Sequence, residues 1–110
     1  MEKRKKRLLE SAGWTIGGAA EFLGLSDEEI AMVELKLGLA DAVKEERTRR
    51  KMTQAQLGRL LGSSQSRVAK IEATDRSVSI DLMVRALIKM GASRKQVAAY
   101  IAAPARRRAA

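Results

Sequence analysis

Three times along this chain a hydroxyl residue stands three positions ahead of a Glu or Gln: Ser26 before Glu29, Thr53 before Gln56, Ser93 before Gln96. At that spacing the hydroxyl accepts a backbone N–H inside a starting helix. The returning Glu or Gln accepts the N–H of the cap itself, so donors that a helix start leaves unsatisfied find partners. Ser64 and Ser79 precede two further amphipathic runs as simple caps. Five helix starts within so short a span leave room for short helices and tight turns. The stops agree: Gly62 and Gly91 fall where a left-handed residue ends a helix, and Pro104 follows the last run. The chain is read as all-α.

The first helix is expected to run from Asp27 to about Lys51, with Ile30, Val33, Leu37 and Ala40 on one face. Leu25 and Ile30 hold the hydrophobic-staple positions, and Asp27 and Glu28 suit the positive end of the helix dipole. "VELKLGL" also alternates as a strand would, but the cap and the charged continuation "ADAVKEERTRR" decide for helix. Leu57, Leu60 and Leu61 form the predicted buried stripe of the second helix. Leu82, Met83, Ala86, Leu87 and Met90 form that of the fourth. Apolar residues are 45% of the 110 positions, enough for a modest core. The domain is placed at 26–103, after an N-terminal extension (1–25) and before a short basic tail (104–110).

Cysteine and histidine are both absent. Disulfides, Cys/His metal sites, thiol nucleophiles and imidazole bases are thereby excluded. The acidic clusters, Asp27–Glu29 and Glu45–Glu46, diverge around a helix, and no phosphate-cradling glycine loop is present. No enzyme and no cofactor is expected. The basic, then apolar N-terminus superficially resembles a signal peptide, but Glu10, Ser11, Gly13, Gly17 and Gly18 break it. A soluble, cytoplasmic, nucleoid-associated protein with no membrane partner is the expectation.

Charge is one-sided. Residues 1–50 carry ten Lys/Arg and ten Asp/Glu; residues 51–110 carry twelve Lys/Arg against Glu72, Asp75 and Asp81, which is the whole net +9. Such a field suits a polyanion. The segment "LGSSQSRVAKIE" then supplies a reader. At about 100° per residue, Val68 and Ile71 share an arc that must face a core, with Glu72 beside it. The opposite arc offers Gln65, Ser66, Ala69 and Lys70: an amide, a hydroxyl, a small residue and an ammonium, the kit for reading base edges. The preceding short helix lies across a sharp turn at Gly62–Ser63. That arrangement lets one helix span the DNA backbone while the next enters the major groove. Gln54, at the first position of that helix, lies beside free N–H groups and is a phosphate candidate.

"MTQAQLGRLLGSSQSRVAKIE", Met52 to Glu72, resembles without gaps the helix-turn-helix of the Cro/C1-type (XRE) repressor family. The resemblance implies a five-helix, lambda-repressor-like domain that binds an inverted-repeat operator in double-stranded DNA as a homodimer. Carried over, Gln65, Ser66 and Lys70 would read bases, Gln54 and Thr53 would lie at a phosphate, and Ser63 and Ser64 would line the groove entrance. Arg47 and Glu72 occupy positions that the family often joins as an ion pair. Gly58 departs from the usual alanine. Arg59, Arg67 and Arg76 border the groove face as phosphate candidates. The wider pattern, from "GWTIGGAAEFLGLSDEEI" to "SRKQVAAYI", is similar to antitoxins of the host-inhibition-of-growth type. These neutralise RelE-like mRNA interferases and repress their own operon. A stand-alone repressor and a protein-binding adaptor are the alternatives. Trp14 and Phe22 are candidate docking residues for a toxin, or a satellite core or dimer contact. Lys3–Arg7 and Arg106–Arg108 are DNA-contacting arms or solvated termini.

Overall fold

The computed structural model describes residues 24–103, which form helices α1 (Asp27–Arg49), α2 (Gln54–Leu60), α3 (Gln65–Glu72), α4 (Ile80–Lys89) and α5 (Arg94–Ala102). No strand occurs among the described residues. Trp14, Phe22, both terminal basic runs, the N-terminal extension up to residue 23 and the tail lie outside them.

Every helix begins at the residue whose hydroxyl the sequence marks. Ser26, Thr53 and Ser93 each complete a two-way capping box, while Ser64 and Ser79 accept from Arg67 N–H and Leu82 N–H. α1 stops earlier than the predicted Lys51. Lys51 takes a left-handed conformation, φ 57°, and the backbone closes on itself: Lys51 N–H donates to Thr48 O and Met52 N–H to Arg47 O. At the far end, Ala103 is extended, as the residue before a proline tends to be.

α1 is the axle of the domain, with α3, α4 and α5 packed on it and α2 packed on α3. Its burial differs from the single face predicted. Ile30, Leu37 and Ala40 are buried, but Val33 is only half-buried, and Leu39, Ala42 and Val43 are buried on other sides. Neighbours on several flanks leave the second half of α1 no single wet face. Leu39, Ala40, Ala42 and Val43 join Leu57, Val68, Ile71, Val78, Met83, Ala86, Leu87, Met90 and Val97 in one continuous core. Leu82 is half-buried, outside the deepest layer.

α2 corrects a further expectation. Leu57 is fully buried and Leu61 half-buried, but Leu60 is 42% exposed. The reason is Gly58. A Cβ built there would lie 2.7 Å from the Ser64 carbonyl carbon and 2.9 Å from its oxygen. α2 therefore turns its glycine side into the start of α3, which carries the buried arc away from Leu60.

Candidate nucleic-acid interface

The turn between α2 and α3 is built from three local devices. Gly62 takes φ 66°, a conformation costly for other residues. Gly62 N–H donates to Arg59 O and Ser63 N–H to Gly58 O at 2.7 Å, so the end of α2 is satisfied by its own backbone. Ser64 Oγ accepts Arg67 N–H at 3.1 Å and starts α3 at once. Close approach at Gly58 sets how near the two helices come.

α3 is divided lengthwise. Val68 and Ile71 are fully buried, and Glu72 is nearly so. Gln65, Ser66, Arg67 and Lys70 are exposed, with Ala69 half-buried between the two sides. Ser63 and Ser64 are exposed at the mouth of the turn; Arg59 and Thr53 are exposed on or beside α2. Arg76 is exposed in the loop after α3. The predicted readers thus share one open surface, while the apolar residues of the same eight-residue helix hold it to the core.

Glu72 ties that helix down. Arg47 Nε donates to Glu72 Oε2 at 2.6 Å and Arg47 Nη2 to Glu72 Oε1 at 3.1 Å, a fork on a carboxylate whose side chain is 7% exposed. Arg47 Nη1 donates to Met52 O at 2.7 Å, so the same guanidinium fixes the link between α1 and α2. The hydrogen bonds to Glu72 outweigh the cost of burial and raise the Arg47 pKa above its ordinary value. Gln54 Nε2 completes the cluster, donating to Glu72 Oε1 at 3.2 Å. One carboxylate therefore joins α1, α2 and α3. It also engages the Gln54 amide nitrogen that the resemblance assigns to a phosphate.

Three features escaped the sequence reading. Thr74 adopts φ 56° at the end of α3, an unusual state for a β-branched residue. After it, Asp75 Oδ1 accepts Ser77 N–H at 2.8 Å and Ser77 Oγ–H at 2.6 Å; these bonds lower the Asp75 pKa and shape the loop bearing Arg76. The spacing Asp-x-Ser is a legible signal for such a turn. The third feature is Glu46, buried on α1 between Arg49, Arg50 and the Tyr100 hydroxyl. Burial works to raise its pKa, but the hydrogen bonds and charges of Arg49 and Arg50 prevail and lower it. Its spacing to Arg49 and Arg50 is visible in the sequence, but its burial under α5 is not.

Among the described residues no helix is long and apolar enough to cross a membrane. A family model described as helix-turn-helix matches residues 43–97, from the second half of α1 into α5. No curated protein and no solved structure matches the chain. The matched span is half of the chain and contains Arg47, Gln54, the Gly58–Ser64 contact, the whole of α3 and Glu72. The chain belongs to the XRE-type helix-turn-helix family, and it is a DNA-binding transcriptional regulator of that type.

Proposed function

We propose that the chain is a repressor that binds an inverted-repeat operator as a homodimer, with α3 in the major groove. Gln65, Ser66 and Lys70 read base edges: Gln suits adenine, Lys suits guanine or a phosphate, and Ser adapts. Arg59, Arg67 and Arg76, with Thr53, Gln54, Ser63 and Ser64, set the register on the backbone. The observation that carries this reading is the lengthwise division of α3, with its apolar side and Glu72 buried and its polar side open. For Gln54 the reading requires an exchange, in which its amide leaves Glu72 for a phosphate or its backbone N–H makes that contact instead.

The operon is that of a toxin–antitoxin pair, and the protein neutralises a RelE-like mRNA interferase. The resemblance of the wider sequence pattern supports this role. The alternative, a stand-alone repressor, is separated from it by the gene next door. Selection of bound DNA from a random duplex pool tests the DNA reading, with Gln65→Ala run in parallel. Enrichment of an inverted repeat with half-sites about one helical turn apart is expected, with one base preference lost in the variant. If no sequence is enriched, the reading is sunk. Co-expression with the neighbouring gene product tests the antitoxin role: growth arrest that the chain does not relieve rejects it.

A further inference from the structure

An inverted repeat requires two copies of the reader, and one edge of α4 carries a side-chain pattern that complements itself when reversed. Residues four apart on a helix form a ridge. On α4 one such ridge is Ile80, Val84 and Ile88. Ile80 and Val84 are half-buried on the rim of the core, and Ile88, at the end of the ridge, is 52% exposed. The adjacent ridge is charged: Asp81, Arg85 and Lys89 are all exposed, and Arg85 Nε donates to Asp81 Oδ2 at 2.9 Å.

We propose that this edge of α4 is the docking surface for a second copy of the chain, antiparallel about a two-fold axis at Val84. The inference rests on the operator reading above. A two-fold interface must complement itself. Reversal about Val84 exchanges Ile80 with Ile88, so each isoleucine meets the other and Val84 meets its own copy. The neighbouring ridge runs from an acid to a base, so the same reversal brings Asp81 towards Lys89 of the second copy, twice. Arg85, close to the axis, has its charge offset by Asp81 of its own helix. A foreign protein would have no reason to match that symmetry. A single helix edge buries less than the roughly 1,600 Å² of a standard stable interface. The contact is accordingly weak in free solution and forms fully when two half-sites hold the copies side by side.

The chain has no cysteine, so one introduced thiol reports without background. On a duplex carrying the selected inverted repeat, under mild oxidation, Val84→Cys is expected to give a covalent dimer. Ala98→Cys, on the exposed side of α5, is expected to stay monomeric. Ile88→Glu is expected to bind the inverted repeat at least about tenfold more weakly while binding an isolated half-site as the parent does. Failure of Val84→Cys to cross-link on DNA carrying two copies overturns the proposal, as does parental affinity of Ile88→Glu for the inverted repeat. A parent protein that selects only a single, non-repeated site overturns the operator reading, and this proposal with it.

Discussion

Arg47 and Glu72 lie twenty-five positions apart and meet where little water reaches. A buried pair adds little over an apolar one, but removing one partner strands a charge. Arg47→Ala is therefore expected to cost about 3 kcal/mol in urea unfolding and to weaken DNA binding. The joint exchange Arg47→Met with Glu72→Leu should recover most of the stability. Lys51 offers the opposite sign: its left-handed backbone strains an L-residue, and Lys51→Gly should gain about 1 kcal/mol in the same measurement. Glu46 sets an acid limit. Its folded pKa lies below the ordinary 4.5, so its stabilisation is present above that pH and is lost as pH falls through the folded value. Glu46→Gln should thus cost about 1 kcal/mol at pH 7, since Arg49 and Arg50 are largely in water, and the gap to the parent should narrow below pH 4.5.

At the scale of elements, α2 and α3 have seven and eight residues, too short to be helices alone. They exist because each start is capped and because they lie against one another. Ser64→Ala should cost about 1 kcal/mol and fray the first turn of α3, where Gln65 and Ser66 sit. Gly58→Ala sets two effects against each other. Alanine favours a helix by about 1 kcal/mol, but its methyl would fall 2.7 Å from Ser64 backbone, which has no flexible end to move aside. The clash should win, with a net loss of about 1 kcal/mol in thermal or urea unfolding and a shifted α3. The same contrast explains what the sequence reveals. Helix starts are local chemistry, so all five caps could be read from three- and four-residue windows. The wet side of Leu60 and the many-sided burial of α1 depend on how close and from where a neighbour arrives, and no short window holds that. For the candidate interface, the open arc of α3 followed from periodicity. The grip of Glu72 on Gln54 needed the third helix in place.

For the whole molecule, charge decides range. Ten of the fourteen Lys and Arg among residues 24–103 lie from Arg50 onward, against only Glu72, Asp75 and Asp81. The attraction to DNA should fall steeply with salt. Replacing Arg59, Arg67 or Arg76 by Ala should weaken binding evenly across sequences and lower the log–log salt slope by about 1 for each phosphate no longer neutralised. A change in base preference instead would move that residue to the readers. Along α3, the side chains that hold the fold and those that face outward are different residues. Gln65, Ser66 and Lys70 can change while Val68, Ile71 and Glu72 stay. Under the proposed base-reading role of the outward set, descendants of this chain could drift to new operators without passing through unfolded ancestors, and a reader could be transplanted here three residues at a time.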